Sequence, residues 1–159
     1  MIKFLDLHKL NKRFDAQFKV EFQQFLDSGY YVLGEGTSTF ETNYAKYCGT
    51  THCIGVSNGL DALILIFKAY LQLGKLNKDD AVLVPANTYI ASILSILEVG
   101  LKPVFVEPNK ATFNWEAATI KKHISKKTKA ILTVHLYGQL ADSEAILNLA
   151  QDHNLLLIE

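Results

Sequence analysis

A chain of 159 residues with 49% hydrophobic content is long enough to close one core, and its two cysteines are too few for a disulfide scaffold. Sixteen basic and sixteen acidic side chains cancel, so no overall field draws the chain to nucleic acid or to an anionic membrane, and an anionic ligand has to be held locally. No apolar run approaches the roughly 20 residues of a bilayer span, and the opening residues lack the basic start and long apolar stretch of a secretion signal, so a cytoplasmic protein is expected.

Between His8 and Ser28, the residues Leu10, Phe14, Phe18, Phe22, Phe25 and Leu26 recur at helical spacing among charges, which predicts an amphipathic helix stopped by Gly29. The stretch from Tyr30 to Gly36 reads as a loop in which Gly34 and Gly36 permit unusual backbone angles. Thr37 or Ser38 then caps a short helix ended by Gly49, and its stripe of Phe40, Tyr44 and Tyr47 is expected in the core. Cys48 and Cys53 lack the paired short spacings and the ligand number of a structural zinc site, so both are expected to be reduced thiols near a buried strand.

From Cys53 onward, short apolar runs alternate with longer amphipathic stretches. Strands are predicted over residues 53–56, 81–84, 103–106, 130–134 and 155–158, and helices over 60–72, 90–99, 116–123 and 143–152. A continuous apolar run such as Leu155-Leu156-Leu157-Ile158 indicates burial on both faces. The fold class is therefore α/β, a mainly parallel sheet with helices on both faces. No repeat, low-complexity tract or linker marks a domain boundary.

The first segment suited to chemistry is Cys53-Ile54-Gly55-Val56-Ser57-Asn58-Gly59-Leu60-Asp61-Ala62-Leu63, a predicted strand passing through small residues into a helix. The first amides of such a helix have no internal partner and carry the positive end of its dipole, and Gly59 lets a phosphate approach the backbone. Ser57 and Asn58 are expected to add side-chain donors. The pattern is neither a Walker loop nor a Gly-x-Gly-x-x-Gly turn, and a plain capped turn without a ligand fits the residues about as well.

The second segment, Val84-Pro85-Ala86-Asn87-Thr88-Tyr89-Ile90-Ala91-Ser92, places Tyr89 at a strand end. There its ring can stack on a flat ligand while Asn87 or Thr88 orients nearby groups, and a tyrosine packed in the core is the bland alternative. The third, Val134-His135-Leu136-Tyr137-Gly138-Gln139-Leu140-Ala141-Asp142, puts His135, Tyr137 and Gln139 at the same sheet edge, with Asp142 as the N-cap of the next helix. No partner carboxylate for His135 is identifiable by spacing. His52, His123 and His153 have no metal-site spacing, and the Lys121-Lys122 and Lys126-Lys127 pairs read as solvated charge.

Taken in order, Leu33-Gly34-Glu35, Phe40-Glu41, Tyr47-Cys48-Gly49, Ser57-Asn58-Gly59-Leu60-Asp61-Ala62-Leu63, Val84-Pro85-Ala86-Asn87-Thr88-Tyr89-Ile90-Ala91, Pro103-Val104-Phe105-Val106-Glu107-Pro108 and His135-Leu136-Tyr137-Gly138-Gln139 resemble the DegT-type nucleotide-sugar aminotransferases over nearly the whole chain. Asn58-Gly59-Leu60-Asp61-Ala62-Leu63 followed by Asn87-Thr88-Tyr89-Ile90-Ala91 is most similar to the branch that aminates dTDP-linked 3-keto-6-deoxyhexoses. The resemblance implies the aspartate-aminotransferase type of fold (fold type I) and a homodimer with active sites at the subunit interface. Residues 1–159 then correspond to an N-terminal segment and the first part of the large, cofactor-binding domain. It further implies pyridoxal 5'-phosphate as cofactor, a nucleotide-sugar substrate and an amino donor, with glutamate expected.

Residue by residue, the backbone at Asn58, Gly59 and Leu60 matches the family's cradle for the cofactor phosphate. Tyr89 matches the aromatic that stacks on the pyridine ring, and Gly34 and Glu35 match a segment close to the sugar. In the family an Asp directly after the Glu-ending strand bonds the pyridine nitrogen and a later Lys forms the Schiff base. Both positions lie beyond Glu159, so the resemblance assigns no catalytic residue within this chain, which is expected to be inactive by itself. The residues alone also leave open a non-catalytic module holding a phosphorylated ligand at the 57–60 turn, or an α/β domain with empty strand ends.

Overall fold

The computed structural model describes residues 2–159. The chain divides into two compact units, Met1–Gly55 and Val56–Glu159, a division that no change in composition announces.

In the first unit, α1 (Leu7–Asn11), a 3-10 turn (Lys12–Phe14) and α2 (Asp15–Ser28) take the place of the single helix expected over 8–28. Phe14 leaves helical geometry at φ −105° and ψ 1°, which breaks the helix, and Gly29 ends α2 in the left-handed conformation as expected. The next helix, α3 (Glu35–Cys48), begins earlier than the sequence suggests because Gly34 is its N-cap rather than Thr37 or Ser38. The Gly34 carbonyl accepts from the amides of Thr37 at 3.1 Å and Ser38 at 3.2 Å.

The aromatic stripe of α3 is not core. Ala45 is its buried residue, while Phe40, Tyr44 and Tyr47 are exposed, as are Phe18 and Phe22 of α2. An apolar row on a helix shows that a face suits burial; it does not show what covers it. Cys48 and Cys53 are free thiols as expected, but among the described residues the stretch around Cys53 forms no strand. Residues 53–56 form no strand because a strand exists only by pairing, and among the described residues this one has no ladder partner. The Gly55 amide instead donates to the Glu41 carboxylate at 2.6 Å.

The second unit opens with α4 (Gly59–Gln72) and continues as β1 (Ala81–Pro85), α5 (Ile90–Glu98), β2 (Lys102–Val106), α6 (Ala117–Lys121), β3 (Thr128–Leu132), α7 (Ser143–Asp152) and β4 (Leu156–Ile158). The four strands are parallel in the order β2-β1-β3-β4. β3 starts two residues earlier than the apolar run implies, since Thr128 pairs with Ala81 at the start of the ladder. Strand ends follow pairing, not polarity.

Alternation along the strands sends side chains into two cores. Val82, Val84, Ala130, Leu132 and Ile158 pack with Phe67 of α4 and Ile96 of α5, and Leu83, Val106 and Ile131 pack with Ile120 of α6 and Ile146 and Leu149 of α7. Helices thus cover both faces, which makes central β1 buried at every residue. The outer β4 is less enclosed than its four-residue apolar run suggested, with Leu156 and Leu157 half-buried. Among the described residues no helix is long and apolar enough to cross a membrane.

An exposed pair joins the starts of β1 and β2: the Lys102 ammonium lies 2.9 Å from the Asp79 carboxylate. The hydrogen bond and the charge of Lys102 hold the Asp79 carboxyl below its ordinary value of 3.8. A depressed carboxyl contributes stability that is complete above the unfolded value and is lost as pH falls through the lower folded one. An NMR titration should therefore give Asp79 a midpoint below 3.8, and Lys102→Ala should return it toward that value.

Candidate functional site

Open parallel sheets bind ligands outside the carboxyl ends of their strands, where the winding direction reverses. Here the chain goes from β1 outward to β2 and then to β3 on the other side of β1, so the reversal lies between β1 and β3. α4 leads through residues 73–80 to the amino end of β1 and contributes Phe67 to the core of Val82 and Val84; in a wound parallel sheet that order sets the start of the helix toward the carboxyl ends of the strands.

At that start Asn58 is the N-cap in extended conformation, its Oδ1 accepting from the Asp61 amide at 3.0 Å and its carbonyl from the Ala62 amide at 3.0 Å. The amides of Gly59 and Leu60 have no acceptor among the described residues. A Cβ added to Gly59 would meet nothing within 4 Å, so the turn is not crowded on that side. The arrangement can hold an anion with two backbone N–H groups and the positive end of the helix dipole. One expectation is corrected: Ser57 and Asn58 offer no spare side-chain donors. The Ser57 hydroxyl donates to Asp61 Oδ2, and Asn58 Nδ2 donates to the same oxygen at 3.0 Å.

Tyr89 is the N-cap residue of α5, held extended at φ −64° and ψ 143°, and the residue is 77% exposed. It is not a core tyrosine, and one ring face is free to cover a flat group. Its neighbours are committed elsewhere: Asn87 Nδ2 donates to the Phe113 carbonyl at 2.9 Å, and Thr88 Oγ1 lies 2.9 Å from Ser92 Oγ. Asn87 and Thr88 therefore brace the turn that presents the ring.

Beyond β3, His135, Tyr137 and Gln139 lie in and beside the 3-10 turn Leu136–Gly138. Tyr137 is fully exposed with a left-handed backbone at φ 53°. His135 Nδ1 accepts from the Ala141 amide at 3.1 Å, which leaves the proton of the neutral ring on Nε2. That nitrogen lies 3.7 Å from Glu159 Oε2. Glu159 is thus the carboxylate that spacing did not reveal, brought near because Leu132 pairs with Ile158. Buried Asn114, also missed, fastens the turn by donating to the Gln139 carbonyl at 3.0 Å and accepting from the Leu136 amide at 3.2 Å. Asp142 occupies the N-cap position of α7, but its side chain makes no capping bond.

Gly34 and Glu35 belong to the first unit. Glu35 is exposed in the first turn of α3. A Cβ on Gly34 would sit 3.0 Å from the Tyr30 carbonyl oxygen and 3.2 Å from its ring, whereas one on Gly36 would meet nothing within 4 Å. Gly34→Ala should cost about 1–3 kcal/mol of stability, and Gly36→Ala should add about 0.5–1 kcal/mol by lowering the entropy lost in a helix. Urea unfolding of the two variants measures both signs.

Two open depressions, of about 420 and 410 Å³, are lined by residues between Phe4 and Arg13 and by residues between Ser38 and Cys53. Neither includes the amides of α4 or Tyr89, which stand on open surface. Among the described residues no cluster of His, Cys, Asp and Glu is arranged to hold a metal ion.

Residues 12–159 match the profile of the DegT/DnrJ/EryC1/StrS aminotransferase family. The dTDP-3-amino-3,6-dideoxy-alpha-D-galactopyranose transaminase of Aneurinibacillus thermoaerophilus is 48% identical over 100% of this chain and 43% of its own length. The crystal structure of S. venezuelae DesV in complex with a ketimine intermediate superposes with a TM-score of 0.90 at 40% identity, over 98% of this chain and 41% of DesV. NtdA from Bacillus subtilis with bound cofactor PMP gives a TM-score of 0.86 at 30% identity, over 98% of this chain and 35% of NtdA. The chain spans less than half the length of these relatives.

Proposed function

Because the chain belongs to the DegT/DnrJ/EryC1/StrS aminotransferase family, we propose that the start of α4 holds the phosphate of pyridoxal phosphate, and that the whole protein transfers an amino group to a keto group on a nucleotide-linked sugar. The sugar is a dTDP-linked 3-keto-6-deoxyhexose and the donor is glutamate. The observation that carries this reading is the pair of amides at Gly59 and Leu60, which have no acceptor among the described residues. A related transaminase named for a dTDP-aminosugar supports the substrate class, and a related structure with bound PMP supports the cofactor.

In this reading the chain's own residues bind and orient. Asn58 fixes the direction of the two amides by capping α4, and these receive the phosphate oxygens. The Tyr89 ring would cover one face of the pyridine and shield it from water. When bound, the cofactor supplies an electron sink for moving the amino group. Gly34 and Glu35 serve the sugar side. In this reading residues 1–159 correspond to an N-terminal segment and the first part of the large domain, and none of their lysines matches the family position that forms the Schiff base, so no turnover is expected from these residues by themselves. Homodimerisation in the cytoplasm belongs to the same proposal, with the exposed aromatic rows of α2 and α3 as its support.

Two measurements test it. Pyridoxal phosphate and pyridoxamine phosphate should each raise the melting temperature of the chain, while pyridoxal without its phosphate should not. Equal effects with and without the phosphate would remove the cradle from the account. For the reaction, the whole protein should release 2-oxoglutarate from glutamate beyond one equivalent of bound cofactor only when the keto-sugar nucleotide is present to take the amino group. A cofactor-loaded protein that fails to do so has another substrate.

A further inference from the structure

We infer that Asp61 is an internal competitor for the cradle: its carboxylate takes the neighbouring side-chain donors and repels a bare phosphate, so that a ligand must add contacts beyond its phosphate to be retained. The inference rests on the phosphate reading of Gly59 and Leu60 and concerns what that site selects.

Asp61 is the third residue of α4, and Asn58 Oδ1 takes its amide at 3.0 Å. In a reciprocal capping box the side chain at this position returns to the backbone amide of the cap. Asp61 does something else, accepting from the Ser57 hydroxyl and from Asn58 Nδ2, the latter at 3.0 Å. Asn58 Nδ2 also reaches Ser57 Oγ at 3.3 Å. The side-chain donors of Ser57 and Asn58 are therefore held within the turn, chiefly on the Asp61 carboxylate, and these two residues leave an anion the backbone N–H groups of Gly59 and Leu60.

The carboxylate also carries charge into the same helical turn. With a rise of about 1.5 Å per residue, a phosphate on the amides of Gly59 and Leu60 lies within a few ångströms of it. Asp61 is half-buried, so solvent screens the repulsion incompletely. Its effects on the two states are opposed. In the free chain a bonded carboxylate near the positive end of the dipole is stabilising; in the phosphate-loaded chain two like charges share that end. Inorganic phosphate has nothing to offset the repulsion, whereas a ligand whose ring lies on Tyr89 has a second anchor.

The test compares Asp61→Asn, Asp61→Ser and Asp61→Glu with the unaltered chain, reading melting temperature without ligand and affinity for inorganic phosphate from the phosphate dependence of melting. The two neutral variants should melt lower without ligand yet bind phosphate roughly tenfold tighter, the scale of one like-charge contact at partial screening. Asp61→Glu, which keeps the charge, should bind phosphate as the unaltered chain does. A residue with a merely structural role would lower melting and affinity together. The inference is overturned if the neutral variants that fold bind phosphate no tighter than the unaltered chain. If phosphate protects neither the chain nor any variant, the cradle itself is refuted; if it protects the unaltered chain but the variants gain nothing, only the role of Asp61 is lost.

Discussion

Valine in place of Gly59 should abolish protection of the fold by phosphate ligands while leaving the unliganded chain as stable as before. The substituted side chain would meet no protein atom within 4 Å at its Cβ, so the fold loses nothing by it, and a glycine at a helix start is no asset to stability. Branched at Cβ, the valine stands beside the amides of Gly59 and Leu60, where it is expected to crowd a phosphate held on them. Hydrogen bonds from neutral donors to a charged group contribute about 1.5–3 kcal/mol each, and losing two should raise the dissociation constant at least about 100-fold. At a ligand concentration 100 times the original constant, linkage stabilisation is about 2.7 kcal/mol, and after a 100-fold weakening it is about 0.4 kcal/mol. Melting with and without pyridoxal phosphate reads the difference. Full protection in the valine variant would place the phosphate elsewhere.

The second large effect is on the fold that holds those amides in place. Phe67 is fully buried between α4 and the sheet, in the core that contains Val82, Val84, Ile96 and Leu132. Phe67→Ala removes the ring and leaves a cavity that neighbouring strands cannot close, at a cost of about 3–5 kcal/mol. Domains of this size are stable by about 5–15 kcal/mol in total, so the loss removes a large share of the margin. The denaturant midpoint should fall with the slope unchanged, and a shift equivalent to under about 1 kcal/mol would show that α4 is not anchored through this residue. Phosphate affinity should fall in proportion to the folded fraction, in contrast to Gly59→Val, where affinity is lost from a folded chain.

The Asp79 carboxyl and the Gly34 and Gly36 pair report on local geometry and carry smaller consequences. They nevertheless separate two kinds of glycine. Gly34 is required by the close approach of Tyr30, and Gly36 is not required by anything within reach. The sequence offers no means of telling them apart, since both stand in the same Leu33-Gly34-Glu35-Gly36 stretch.

What could be read from the residues was whatever depends on neighbours in the chain. Helix over 143–152 was legible to the residue because its apolar period and its flanking residues are local, and α4 was legible to within one residue for the same reason. Both faces of the sheet were foreseeable from continuous apolar runs such as Ala81-Val82-Leu83-Val84, which are all buried. The chemistry at Asn58, Gly59 and Leu60 was visible as a helix start carrying small residues, and Tyr89 as an aromatic at a strand end.

Tertiary structure alone decided the rest, because pairing and covering involve residues far apart in the chain. Apolar character at 53–56 suggested a strand, yet without a partner its Gly55 amide turns to Glu41. His135 acquires Glu159 as a neighbour only when β3 and β4 lie side by side, and Asn114 secures that turn from 22 residues away. Ser57 and Asn58 looked like donors for a ligand until the fold turned them onto Asp61. Local sequence determines which backbone groups a helix start leaves free; the three-dimensional arrangement determines which side chains are already spoken for, since a donor can be committed to only as many acceptors as geometry brings within reach.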